Sequence, residues 1–343
     1  MTRRVLIAGL MLAAACGPAA AEGRLRILNW ADYTAPQVIE SFQRETGTEV
    51  EVTTFATNEE AFKRLRDEPG RYDLVVPDDF MIKRMAEAGM LEAIDAAAIP
   101  GFANLSSIWL QAPHDPSNAF SLPYLWGTTS FAVDIEALPG ADQSLATLFD
   151  PPPAARGKLG MMAESAEAFR LAGLYLGLPR CSDQPDHLRR IATALDRMRK
   201  AATGAYSDDL VDSIASPRHV VHMAWNGDAA RARLKRPGLR YAYPKEGVLA
   251  WLSGVAVPKG APNAKAALAF MGFLMRPEIA AAQTNHTGYG NAILGSEEFI
   301  DPALRNAPEF KIPSSARLDF AGDCPPGVAA RQRAVIDKAF PAK

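Results

Sequence analysis

The apolar spacing of the N-terminal third switches between two periods, and that alternation limits the folds open to the chain. LRILNW (Leu25 to Trp30) reads as a strand. TAPQVIESFQRETG reads as a helix: Pro36 suits its first turn, Val38, Ile39 and Phe42 fall at helical spacing, and Gly47 stops it. TEVEVTTF alternates as a second strand, and NEEAFKRLRDEPG is an amphipathic helix with Asn58 as its expected N-cap. YDLVVP is a short apolar strand ending at Pro77. DDFMIKRMAEAGM is a third helix, capped by Asp78 or Asp79 and closed by Gly89. Strands alternating with helices predict an α/β fold, a mainly parallel twisted sheet with helices on both faces.

From Ser121 the texture changes. SLPYLWGTTSFAVD is strand-rich and reads as chain passing between two lobes. A second α/β region follows: a strand at KLGMM, a helix from about Ser165, a long helix HLRRIATALDRMRKA, then strand, turn and helix in VVHMAWNGDAARARL. LRYAYPKEG and WLSGVAVP read as strands. NAKAALAFMGFLMRPEIAAAQTNHTG reads as helical up to Gly288, and VAARQRAVIDKAF as a final helix. A length of 343 residues favours two domains over one.

Residues 1–21 carry Arg3 and Arg4, an apolar run too short to span a bilayer, and Ala19-Ala20-Ala21. That is the layout of a signal peptide cleaved after Ala21, leaving 343 − 21 = 322 residues. Lipid anchoring at Cys16 is the alternative, although Leu12 sits one place too far upstream for a good lipobox. Removing two arginines sets the mature charge at 35 − 39 = −4. A mildly acidic chain argues against nucleic acid and suits a cationic ligand. Cys181 and Cys324 remain, and the sequence leaves open whether they bond. The five histidines are scattered without metal-ligand spacing, so neither metal nor cofactor is expected.

In open α/β sheets, ligands bind beyond the carboxyl ends of strands. The expected ends here are Trp30-Ala31-Asp32-Tyr33, Pro77-Asp78-Asp79, Ala163-Glu164-Ser165-Ala166-Glu167, Trp225-Asn226-Gly227-Asp228 and Trp251-Leu252-Ser253. Four of these offer an acid and three a tryptophan, out of five tryptophans in the chain. Such a lining suits an organic cation. A cation–π contact contributes roughly 0.5–2 kcal/mol, and a carboxylate–ammonium hydrogen bond about 1.5–3 kcal/mol. Each residue also has a plainer reading. Trp30 and Tyr33 could cover the sheet end, and Trp225 and Trp251 could be core. Asp78, Asp79, Glu164, Glu167 and Asp228 could cap helices. His222 reads as a core histidine and His286 as an isolated surface candidate.

NWADY, YDLVVP, LPYLWGT, WNGD, YPKEG and TGYGNA, in that order, resemble the periplasmic polyamine-binding proteins of ABC transporters. The resemblance runs from about Leu25 to the C-terminus. It implies a two-lobed periplasmic-binding-protein fold of type II-like kind with the ligand cleft between the lobes. Lobe 1 would be 22–132 with 254–295, and lobe 2 would be 133–253 with 296–343, including the C-terminal helix. It implies no catalysis, a polyamine or related cation as ligand and an inner-membrane permease as partner; the leader predicts a periplasmic location, and a monomer is expected. Position by position, Trp30, Asp32 and Tyr33 match the family's first ligand-contacting loop. Glu167 matches an amine-binding acid, with Glu164 near another. Trp225 and Trp251 match stacking aromatics, Asp228 an acid of the putrescine type, and Tyr289 a site tyrosine. Asp78 stands where the family usually has serine. Ser253 stands where it commonly has the acid that clamps an amine. Either Asp78 compensates, or the ligand carries fewer charges or is a different amine. The competing expectations are a binder of a sugar or modified amino acid, or a secreted carboxylate-using hydrolase. No nucleophile or phosphate-loop motif accompanies the acids.

Overall fold

The structure is a computed structural model that describes residues 23–110, 112–206, 209–320, 322 and 324–340. The expected leader and Cys16 lie outside the described residues. The first unit runs β1 (Arg24–Trp30), α1 (Pro36–Thr46), β2 (Glu49–Phe55), α2 (Asn58–Asp67), β3 (Leu74–Val75) and α3 (Asp79–Glu87). Then comes the long strand β4 (Ser121–Asp134). The second unit holds α4 (Ala146–Phe149), β5 (Leu159–Met162), α5 (Ser165–Tyr175), α6 (Pro185–Ala201), β6 (Ala202–Tyr206) and α7 (Leu210–Ala215). It continues through β7 (Val221–Trp225), α8 (Asn226–Lys235) and β8 (Leu239–Tyr241). The chain returns along β9 (Val248–Ala256) to α9 (Ala264–Leu274), α10 (Pro277–Thr287) and β10 (Gly290–Asn291). It ends with α11 (Pro302–Arg305), β11 (Leu318–Phe320) and α12 (Pro326–Ala339).

The main sheet order is β2-β1-β3-β9-β4-β7-β5-β6. Both outer groups are parallel: β1 with β2 and β3, β5 with β6 and β7. Each antiparallel pairing between named strands involves β4 or β9. The reason is connectivity. Parallel neighbours need helical crossovers, whereas β4 and β9 carry the chain out of one α/β unit and back. Apolar residues of β5, β7 and α4 to α8 form one core, which also takes Ile336 of α12. A second surrounds β1, α1, α9 and α10, and a smaller third lies under α2 and α3.

Local chemistry departs from expectation at several points. Thr57, not Asn58, caps α2: its hydroxyl accepts from the Glu60 N–H at 3.1 Å, and the Glu60 carboxylate accepts from the Ala56 N–H at 2.9 Å. Asn58 is thereby freed to face Asp78. The expected helix up to Gly288 is two helices broken at Pro277, which has no N–H to continue the ladder. Trp251 lies inside β9, not at its end. The strand β6, ATGAY, lacked a strong strand pattern and was not expected. His222 is a satisfied core residue, bonded to Ser213 Oγ at 2.8 Å and Met223 O at 2.6 Å; burial lowers its pKa to about 4. Cys181 and Cys324 form a disulfide, joining the α5–α6 connection to the start of α12. Among the described residues no helix is long and apolar enough to cross a membrane.

Candidate functional site

Asp78 occupies the N-cap position of α3, yet its side chain makes no cap hydrogen bond. Asn58 Nδ2 donates to one carboxylate oxygen at 2.8 Å and Ser253 Oγ to the other at 2.7 Å. Asp78 and Ser253 also face each other across an antiparallel bridge. Tyr33 OH lies 3.0 Å from Ser253 Oγ, completing a relay Tyr33–Ser253–Asp78. The β3–α3 junction thus sets a carboxylate opposite Ser253 of β9.

From the other side, the start of α5 brings Glu164 and Glu167. Glu164 also accepts from the Ala166 N–H at 3.3 Å, so its capping role is real. Glu167 accepts from Thr129 Oγ1 at 2.8 Å and from Trp225 Nε1 at 2.9 Å, which sets the indole against the acid. Burial, then repulsion from Glu167 and Glu59, pushes Glu164 up to about 8. Burial, with Asp78 adding repulsion, pushes Glu167 up to about 7; the Thr129 hydrogen bond opposes that. Burial likewise raises Asp78. Among the described residues none of these three acids makes an ion pair. Arg170 is near enough to lower the pKa of Asp78 and Glu167, but it is bonded to Asp319, at 3.2 Å to O and 3.4 Å to Oδ2.

Aromatic rings join this acid group to a second one. Tyr33 packs against Tyr124 and Tyr289 at 5.9 and 5.7 Å between ring centres, and Trp251 meets Tyr289 edge-on at 5.0 Å. Trp30 is half-buried against Phe55 at 4.5 Å. Glycines admit these rings: a Cβ on Gly127 would sit 2.5 Å from Trp251, and one on Gly227 2.4 Å from Tyr289. Beyond the rings, Asp228 is buried. It accepts from Tyr289 OH and, at 2.9 Å, from Arg231 Nη2. Burial raises its pKa while Arg231 opposes the rise. Arg231 Nη1 reaches Asp32 at 3.2 Å and His286 O at 3.2 Å. Asp32, left-handed at φ 53°, has a side chain 59% exposed and pairs with His286 Nε2 at 2.9 Å. It stands at the rim.

The eleven residues singled out from sequence thus divide into three groups. Asp78, Ser253, Tyr33, Glu164, Glu167 and Trp225 surround the unpaired acids. Tyr289, Trp251 and Asp228 lie toward Arg231. Trp30 flanks Phe55, and Asp32 belongs to a surface ion-pair cluster. Sequence reasoning missed Asn58, Glu59, Thr129, Arg170 and Arg231. The arginines had a signal: each follows a site acid by three residues, Glu167–Arg170 and Asp228–Arg231, which places them on one helix face.

Two α/β units linked by crossing strands, with acids and rings converging from both, define a two-lobed solute-binding fold. The chain belongs to the bacterial extracellular solute-binding protein family, whose profile matches residues 37–312. That family consists of binding proteins, not enzymes. The chain is 30% identical over 308 residues to the spermidine/putrescine-binding periplasmic protein of Escherichia coli, covering 89% of this chain and 88% of that one. It is 30% identical over 307 residues to a putrescine/agmatine-binding protein of Pseudomonas aeruginosa, covering 84% and 83%. The fold superposes with TM-score 0.86 on a Listeria monocytogenes chain assigned to a spermidine/putrescine ABC transporter, at 24% identity over 93% of this chain and 99% of that chain. A Streptococcus pneumoniae substrate-binding protein of the same transporter class gives 0.76 at 23% identity, covering 93% and 98%.

Proposed function

We propose that this protein is the substrate-binding subunit of an ABC importer and captures a polyamine or related organic cation in the periplasm. Closure of two lobes would bury the cation, and the closed form would present it to an inner-membrane permease. Ligand contacts available only in the closed form supply the free energy of closure. The protein would act as a monomer, exported by its leader. The division we assign is 22–132 with 254–295 for the first lobe and 133–253 with 296–343 for the second, with β4 and β9 crossing between them. The site residues are those named above, with Asp78 in place of an acid at Ser253.

One observation carries the reading. Asp78 opens a helix packed in the third core and Glu164 and Glu167 lie at the start of one packed in the first; all three are partly buried, have no ion-pair partner among the described residues, and have pKa values driven upward by desolvation. A desolvated cation beside them would remove that penalty, and a neutral sugar would not. Trp225, held on Glu167, offers a ring for the cation's methylenes. Calorimetry of the exported protein against putrescine, cadaverine, spermidine, spermine, agmatine, betaines and sugars tests this. The expected result is saturable heat with one or more amines at about micromolar affinity. A response to sugars alone defeats the reading, and turnover of any ligand returns the hydrolase alternative.

A further inference from the structure

The two acid groups of the site differ in what already neutralises them. Among the described residues Asp78, Glu164 and Glu167 have no ion-pair partner, whereas Asp228 is held by Arg231 at 2.9 Å and by the Tyr289 hydroxyl. Arg231 is itself locked, with its other terminal nitrogen on Asp32 and on the His286 carbonyl. Asp228 therefore has little charge to offer a second ammonium, which would also meet a fixed guanidinium. Tyr33 marks the division, since both Asp78 and Asp228 act on its hydroxyl.

Unsatisfied donors lie at the Arg231 end. Among the described residues, Trp251 Nε1, which packs on Tyr289, and Arg231 Nε are buried without a hydrogen-bond partner; Trp30 Nε1 beside Phe55 and Arg170 Nε near the acids are in the same state. All four are donors. An ammonium group also only donates, so it satisfies none of them. A carbonyl, carboxylate or hydroxyl would satisfy one or more, and buried donors favour a partner strongly.

Resting on the cation reading above, we propose that the ligand carries one ammonium end, held at Asp78, Glu164 and Glu167, and a hydrogen-bond acceptor at its other end, toward Arg231. Arg231 is then a specificity-determining residue: it selects an ω-substituted amine over an α,ω-diamine of the same length. The selection is electrostatic. A diamine must bring its second charge beside Arg231 or leave it unpaired, and either costs affinity.

The test compares three probes of equal carbon spacing by calorimetry at pH 8: putrescine, N-acetylputrescine and n-butylamine. The acetyl derivative keeps one ammonium and adds an acceptor; butylamine keeps the ammonium alone. Wild-type protein is expected to bind N-acetylputrescine at least tenfold more tightly than either of the others. Arg231→Gln, which frees Asp228, is expected to reverse the order in favour of putrescine. A merely structural role for Arg231 would weaken all three probes by a common factor and leave their order unchanged, which overturns the assignment. Wild-type preference for putrescine overturns this inference while leaving the cation reading standing. No heat from any amine, here and in the broader screen, defeats both. Should Arg231→Gln fail to fold, the wild-type ranking alone decides.

Discussion

Trp225 shows how a side chain that could have been plain core becomes part of the proposed site. Its indole N–H is fixed on Glu167 Oε2 at 2.9 Å, so the ring is oriented and only half-buried. Trp225→Ala removes a cation–π surface and a hydrogen bond to a site acid. Affinity for the best amine should fall by about 1–2 kcal/mol, roughly 5- to 30-fold in Kd. Unchanged Kd by calorimetry would remove Trp225 from the site. The acids make a second prediction. Glu164 and Glu167, raised from 4.5 to about 8 and about 7, bind protons more tightly folded than unfolded. Their stabilising contribution is full below the unfolded value and is lost as pH rises through the folded ones. His222 has the opposite sign: its lowered pKa makes stability rise with pH up to about its usual 6.5. Between pH 6.5 and 8 the glutamates act alone of these three. The ligand-free protein should therefore lose thermal stability across that interval, and cation binding there should release protons. Proton uptake, measured by calorimetry in buffers of different ionisation heat, would contradict the assignment.

At the scale of elements, the site depends on how closely α8 approaches the α10–β10 turn. Gly227 in the first turn of α8 lies under the Tyr289 ring; a Cβ there would stand 2.4 Å from a ring carbon and 2.8 Å from the Gly288 carbonyl oxygen. The backbone contact leaves little room for adjustment. The beginning of α8 is anchored as well. Asn226 Oδ1 accepts from the Thr128 N–H at 3.0 Å, and Arg233 makes a two-pronged pair with buried Glu309 at 2.6 and 3.0 Å. Gly227→Ala should therefore cost about 1–3 kcal/mol in denaturant unfolding and weaken amine binding by shifting Tyr289 off Asp228. A variant with wild-type stability and affinity would mean that the turn yields freely. The same element view explains Asp78. A helix N-terminus normally uses such a carboxylate as a cap, but here Asn58 and Ser253 donate to it, and the cap hydrogen bond is not made.

For the whole molecule, the disulfide and α12 fasten the last part of the chain to the core built on β5 and β7. Arg331 pairs with Asp183 at 2.7 Å, and Gln332 Nε2 donates to Arg180 O at 2.8 Å and Ser182 O at 3.1 Å beside the bridge. Closing a segment of 143 residues restricts the unfolded chain; the entropic model puts the ceiling near ~5 kcal/mol, and native bridges commonly contribute about 2–5 kcal/mol. Replacing both cysteines with serine should lower Tm by on the order of 5–10 °C. Amine affinity should hold, because the bridge joins the α5–α6 connection to the start of α12, outside the segments that carry the proposed site acids. An unchanged Tm would show that α12 is held by its packing alone.

The local pattern of residues determined much of this protein. Alternating periods of two and 3.6 set β1, α1, β2, α2 and α3, because each amphipathic face can be buried in only one way. Acids and tryptophans near strand ends marked the residues of the proposed site. Tertiary structure decided the rest, since those properties depend on partners distant in the chain. It placed the Asp78 carboxylate opposite Ser253, 175 residues away. It left Asp32 at the rim and bonded Cys181 to Cys324. It also gave Asp228 a guanidinium of its own. A carboxylate's availability depends on which charges lie within a few ångströms of it, and only the folded chain fixes those distances.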